Sequence, residues 1–169
     1  MSAYYTHRPF LLHYAKKTSG PILELGMGFG STTMLHELCQ GQGRKLISMD
    51  HDPEWVSKFD NLKADFHTVM CVNSWEEAYD QIQGKFSIIF VDNAPFEARS
   101  DAIRRFKNDT EFIILHDCDY FPRNKLLEFS EFPYFNVYEP AKPWPCGTGP
   151  PTLVASMTRP DVNDHVEYR

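Results

Sequence analysis

No stretch of this chain approaches the ~18 consecutive apolar residues that a membrane-spanning helix needs, so no transmembrane segment is expected. The opening stretch MSAYYTHRPFLLHYAKK lacks the apolar h-region of a secretory signal, and the expected location is cytoplasmic. Cysteine is sparse. Cys39, Cys71, Cys118 and Cys146 lie far apart, with no C-x-x-C pair and no histidine at zinc-ligand spacing. That pattern argues against a disulfide framework or a zinc knot and predicts free thiols in a reducing compartment. There is no basic excess either: 17 Lys and Arg face 23 Asp and Glu, for a net charge of -6. A nucleic-acid surface would want clustered Lys and Arg, so no nucleic-acid partner is expected. Internal repeats and composition breaks are also missing. One domain is expected over 1–169, with an N-terminal helix in 1–20, a core over 21–158 and a frayed polar tail from Arg159.

What the chain does contain is enough apolar material to fold, 42% hydrophobic and 14% aromatic residues. It is distributed as short apolar runs alternating with amphipathic stretches. The runs ILEL, KLISMD, FHTVMCV, FSIIFVD, EFIILHD, YFNVYEP and TLVASMT read as strands, and FSIIFVD and EFIILHD are apolar enough to be buried on both faces. Helices are predicted over Arg8–Lys17, Ser31–Gln40, the stretch PEWVSKFDNL with Pro53 in its first turn, SWEEAYDQI capped by Ser74, and Phe96–Phe106. A weaker helix is expected near Lys125–Phe129. The β-α alternation predicts an α/β fold: a Rossmann-like, doubly wound, mostly parallel seven-stranded sheet with a C-terminal antiparallel strand.

In such sheets ligands bind beyond the carboxyl ends of the strands. The first strand ends in Gly26-Met27-Gly28-Phe29-Gly30. A dinucleotide fingerprint wants G-x-G-x-x-G, and here Ser31 stands where its third glycine belongs, so NAD is disfavoured. Glycines at a strand-to-helix turn serve a tight turn or the close approach of a ligand. Asp50 ends the second strand, where a carboxylate can accept the hydroxyl protons of a ribose or cap the next helix. Together the loop and Asp50 point to a nucleoside-type ligand.

Residues 21 to 119 resemble the class I S-adenosylmethionine-dependent methyltransferases. ELGMGFGS resembles their first motif, ISMDHD the acidic second and FSIIFVDNAP the fourth-strand motif. The resemblance implies S-adenosylmethionine as cofactor. It places Glu24, Gly26, Gly28, Gly30 and Ser31 along the methionine and ribose end, and Asp50 on the ribose hydroxyls. His51 would flank the adenine, and Asn73, Ser74 and Trp75 would contact that ring, with Trp75 equally readable as core. On this view the glycines let the adenosyl group lie against bare main chain.

The acceptor is less constrained. A nitrogen needs little deprotonation, whereas a hydroxyl needs a base, a metal or both. No NPPY-type motif follows the fourth strand, where the chain reads VDNAPFEAR. FVDNAP and IILHDCD resemble small O-methyltransferases, including those acting on sugars. HDPEWV beside LHDCD is similar to plant glucuronic-acid methyltransferases. The resemblance implies Asp92, His116 and Asp117 as catalytic residues, with Asp92 and Asp117 as ligands of Mg²⁺ or Mn²⁺. Each has a structural alternative: Asp92 as a turn cap, His116 as a core histidine, Asp117 as the partner of an arginine. Arg99 reads either as surface or as a partner of Asp92, and Trp144 either stacks on a sugar or packs in its loop. So little chain remains for a lid that an open site for a glycan end or other small molecule is expected, or cover from a second subunit in a homodimer. The alternatives are an N- or protein-directed methyltransferase and a nucleotide-binding module without catalysis.

Overall fold

The computed structural model describes residues 5–140 and 149–166. Trp144 and Cys146 lie outside them. Seven strands form one sheet: β1 (Ile22–Leu25), β2 (Leu46–Asp50), β3 (His67–Cys71), β4 (Phe86–Val91), β5 (Thr110–His116), β6 (Tyr134–Tyr138) and β7 (Thr152–Ser156). Their spatial order is β3-β2-β1-β4-β5-β7-β6. The first five are parallel, and β7 runs antiparallel to both β5 and β6. The crossovers therefore diverge between β1 and β4, and the crevice opens there.

Alternation along each strand sorts the side chains into two layers. Leu23, Leu25, Ile89, Val91, Ile113, Leu115, Leu153 and Ala155 face α4 (Trp75–Gln81) and α5 (Phe96–Phe106). Ile22, Ile88, Phe90, Phe112, Ile114 and Val154 face α1 (Arg8–Lys17) and α2 (Thr32–Gln42). Both faces of β1, β4 and β7 are buried, which is why their sequences carry almost no polar alternation. Glu24 is the exception, a carboxylate in the middle of an apolar layer with no exposed surface.

Several boundaries differ from the sequence reading. The second helix does not stop at Gln40. It continues through Gly41 to Gln42 and ends where Gly43 adopts φ 63°, the left-handed cap that glycine permits. The stretch PEWVSKFDNL is not one helix but α3 (Pro53–Ser57) followed by a 3-10 turn over Asp60–Leu62. Phe59 departs from helical geometry to bury its ring with Met27, Val56 and Val69. The weak helix expected at Lys125–Phe129 forms earlier, as α6 (Tyr120–Arg123), and Lys125 at φ 56° prevents its continuation. Residues 159–166 are docked rather than frayed. Arg159 pairs with Glu111 at 2.6 Å, and Asp164 accepts from Lys17 at 2.5 Å and meets His13 at 2.8 Å. Among the described residues no helix is long and apolar enough to cross a membrane, and Cys39, Cys71 and Cys118 are free thiols.

Candidate active site

The glycine loop leaves β1 at the point where the crossovers diverge. Gly26 adopts φ 90°, and a methyl group on it would stand 2.4 Å from the carbonyl carbon of Asp92 and 2.5 Å from the nitrogen of Asn93. Its bareness admits the neighbouring strand end. Gly30 is covered too, since a methyl there would stand 2.5 Å from Cδ1 of the Tyr5 ring. Gly28 alone keeps open main chain, its nearest neighbours being Ser31 Oγ at 3.7 Å and the Gly30 nitrogen at 4.0 Å. The expectation that all three glycines offer backbone to a ligand thus narrows to one.

Asp50 closes this loop from the side. Its Oδ2 accepts the Met27 N–H at 3.0 Å, and its Oδ1 accepts the N–H groups of His51 at 2.7 Å and Asp52 at 3.2 Å. A carboxylate has about four lone-pair directions, so one remains, on Oδ2. Asp50 can therefore take one hydroxyl directly while it clamps the loop. The His51 ring stands in solvent next to it, with Nδ1 3.2 Å from Asp50 Oδ1.

Asn73 and Ser74 line a groove of about 410 Å³ beside α4, together with Met49, Met70, Val72 and Ala78. Trp75 turns away from it. Its indole is buried against Tyr79, with ring centroids 5.8 Å apart, and its Nε1–H donates to the Ala94 carbonyl at 2.8 Å. Ser74 caps α4 as expected, accepting from the Glu77 N–H at 3.4 Å. Ser31 is buried at the head of α2 and makes no side-chain cap there.

Glu24 accepts from Thr32 Oγ1 at 3.0 Å through Oε1, while its buried Oε2 has no partner among the described residues. Burial pushes its pKa up from the ordinary carboxylate value to about 7, although the hydroxyls of Ser31, Ser48 and Thr32 pull it part of the way back. The register Glu24↔Phe90 sets this carboxylate beside β4 on the α1 side of the sheet.

The same register logic builds the second cluster. Val91 pairs with Leu115, so the next residues, Asp92 and His116, come abreast. His116 Nδ1 lies 3.2 Å from Asp92 Oδ1 and 3.5 Å from Asp117 Oδ2. Arg99 reaches back from α5, only 6% exposed. Its Nη1 lies 3.2 Å from Asp92 Oδ1 and 3.6 Å from Asp117 Oδ2. The same guanidinium donates to the Asn93 carbonyl at 2.6 Å and the His116 carbonyl at 3.0 Å. Of the two readings of Arg99, the partner of Asp92 is the observed one. Burial alone would raise the Asp92 pKa, but the neighbouring His116 and Arg99 outweigh it and hold it below the usual value. For Asp117 burial wins, and its pKa is raised. Asp117 also sits at φ 52°, an uncommon conformation that Asp tolerates better than most residues. Asp92 and Asp117 offer two carboxylates to a cation, the number with which Mg²⁺ is commonly held while water completes its shell, but both also face the Arg99 guanidinium.

Two residues here were not legible in advance. Thr6 and His7 precede α1, and they fold over the strand ends. Thr6 Oγ1 lies 3.2 Å from His116 Nε2, and the His7 ring packs against His116 and Phe90 with centroids 4.5 and 4.8 Å away. Nothing in YYTHRPF marks them beyond a histidine beside a helix start.

No protein-family model matches the chain, and no curated protein does. Solved structures do. Precorrin-8W decarboxylase of Methanobacterium thermoautotrophicum superposes with a TM-score of 0.62 at 20% identity, over 88% of each chain. The SAH-bound methyltransferase PaMTH1 of Podospora anserina gives 0.62 at 12% identity, over 86% of this chain and 75% of that one. An rRNA methylase of Streptococcus thermophilus gives 0.57 at 14% identity, over 86% and 91%. The fold is the Rossmann-like methyltransferase fold.

Proposed function

We propose that this protein is an S-adenosylmethionine-dependent methyltransferase acting on a hydroxyl of a sugar, glycan end or other small molecule. The observation that carries the reading is what stands at the carboxyl ends of neighbouring strands: open main chain at Gly28, a free acceptor direction on Asp50, and partly exposed carboxylates after β4 and β5. The first pair suits an adenosyl ligand. Asp50 would hold a ribose hydroxyl, Gly28 would admit the chain beyond it, and Asn73 and Ser74 would border the adenine in their groove. Glu24, buried with an unpaired oxygen, fits a neighbour that donates a hydrogen bond, which is what an ammonium or hydroxyl group of that ligand offers. When bound, S-adenosylmethionine supplies an electrophilic methyl group on a sulfonium, which a lone pair displaces in line.

The chain's own task is alignment and proton removal. Holding two reactants in line accounts for ~7–11 kcal/mol of barrier lowering. A hydroxyl must also lose its proton, and Asp117 is the group placed to take it. Its side chain is 32% exposed, and burial has made it a stronger base than a free carboxylate. His116 and Arg99 fix it from behind. Asp92 stays anionic and aligns His116 and Arg99.

The test is calorimetry of the full chain with S-adenosylhomocysteine and with NAD. It is followed by detection of S-adenosylhomocysteine release on a panel of glycans, phenols and amines. Binding of the homocysteine product but not NAD, with turnover on hydroxyl compounds, is the expected result. Turnover confined to amines would move the acceptor to nitrogen, and no adenosyl binding would leave the proposal without its cofactor.

A further inference from the structure

The hydrogen atoms around His116 can be counted. Thr6 Oγ1 has a single hydrogen, which it donates to the Pro150 carbonyl at 2.7 Å. Toward His116 Nε2, 3.2 Å away, that oxygen can only accept, so Nε2 carries the ring hydrogen. The lone pair of Nδ1 then points at two carboxylates, Asp92 Oδ1 at 3.2 Å and Asp117 Oδ2 at 3.5 Å. Lone pair against carboxylate is repulsive, so a cation belongs between them. A second proton on the ring would serve. It would leave His7 unexplained, however: this imidazole is 3% exposed, and neither of its nitrogens has a partner among the described residues. Leaving such a group buried and unpaired is destabilising. One donor atom from each of His7, Asp92 and His116 lies within 4.8 Å of the other two.

We propose that His7, Asp92 and His116 form a binding site for a divalent transition-metal ion. Two imidazole nitrogens and one carboxylate select zinc, cobalt, iron or manganese over magnesium or calcium. Metal bonds of ~2.0–2.2 Å set neighbouring tetrahedral donors roughly 3.4 Å apart. The 3.2 Å pair of His116 and Asp92 already has that spacing. Asp92 Oδ1 is the ligand atom at that spacing, and it also lies 3.2 Å from Arg99 Nη1. Thr6 is then the outer partner that fixes the His116 tautomer, as hydrogen bonds to the distal nitrogen of metal-bound histidines generally do. Three protein ligands leave at least one position for water or an acceptor oxygen. The site differs from the carboxylate pair implied by the sequence, because a residue outside the sheet supplies a ligand. It stands independently of methyl transfer.

The experiment uses the full chain, stripped with a chelator and dialysed, then titrated separately with Co²⁺, Zn²⁺ and Mg²⁺. One equivalent of Co²⁺ should bind and give the visible spectrum of a nitrogen-ligated ion, and Zn²⁺ should displace it while Mg²⁺ does not. His7→Ala and His116→Ala should each weaken Zn²⁺ at least about 100-fold, Thr6→Val about tenfold, and exposed His165→Ala not at all. If a histidine variant fails to fold, paramagnetic shifts of the His7 and His116 ring resonances in Co²⁺-loaded wild type take its place. Three results overturn the proposal: no stoichiometric binding of Co²⁺ or Zn²⁺, unchanged affinity in His7→Ala, or a preference for Mg²⁺ abolished by Asp117→Asn. Calorimetry with S-adenosylhomocysteine on the same samples reads the cofactor site separately, so either reading can fail alone.

Discussion

Arg44 and His7 are both buried, at opposite ends of the same sheet, and the fold treats them in opposite ways. Arg44, 4% exposed, closes the amino ends of the strands. It donates to the carbonyls of Gly20 at 2.8 Å, Ala15 at 2.6 Å and Thr18 at 3.0 Å, and to Gln42 Oε1 at 3.1 Å. At the carboxyl ends His7 has no partner for either nitrogen among the described residues, and Glu24 has none for Oε2. Proteins pair most of their buried polar groups, so each unpaired one needs a cause, and a bound ligand or ion is one such cause. The first end is tied together by these bonds, and the second is the one where the proposed ligands would bind.

The comparison can be broken most sharply by Asp117→Asn. If that end carries the chemistry, kcat should fall by ~10²–10⁴ while S-adenosylhomocysteine affinity, read by calorimetry, stays as it was. On the chelator-stripped chain the rate should rise with pH through an ionisation above the usual carboxylate range, because the anion of Asp117 is the active form, and the variant should lose that limb. A comparable loss of cofactor affinity would make Asp117 structural.

Arg44→Met should produce the mirror image: about 3 kcal/mol or more off the unfolding free energy in urea, from carbonyls left unpaired, with cofactor affinity unchanged. Glu24 tests the cost of the ligand end. Its folded pKa, about 7, lies above the ordinary value of 4.5. Its contribution to stability is therefore full below the unfolded pKa and is lost as pH rises through about 7. Denaturation between about pH 5 and pH 8 should show a decline of roughly 3 kcal/mol at most, and Glu24→Gln should abolish it. The smallest effect separates two glycines. Gly28→Val should weaken S-adenosylhomocysteine about tenfold, or ~1.4 kcal/mol, without moving the melting temperature. Gly26→Ala should lower the melting temperature, because φ 90° and the Asp92–Asn93 backbone leave a methyl no place.

Some of this site could be read in the chain and some could not. The glycine loop, Asp50, Asp92, His116 and Asp117 each follow an apolar run, and a parallel sheet delivers all such ends to one edge. The helix at Phe96–Phe106 was equally plain from its periodicity. The fate of each glycine was not, because Gly26 and Gly30 are covered by Asp92–Asn93 and Tyr5, which are distant in sequence. Trp75 stood between two roles until Tyr79 and the Ala94 carbonyl were seen to engage it. The docked end beyond Arg159 was invisible because its partners, Glu111 on β5 and Lys17 and His13 on α1, sit on two other elements distant in sequence.

The sequence by itself determined the order of strands and helices and the residues at their ends. Those depend on local periodicity and on turns, and both are written in neighbouring residues. Only the tertiary structure decided which ends face one another. Strand register brought Asp92 beside His116, and the fold of the first residues carried Thr6 to a carbonyl 144 positions away. Such meetings are fixed by how whole layers pack, and no short stretch of chain encodes them.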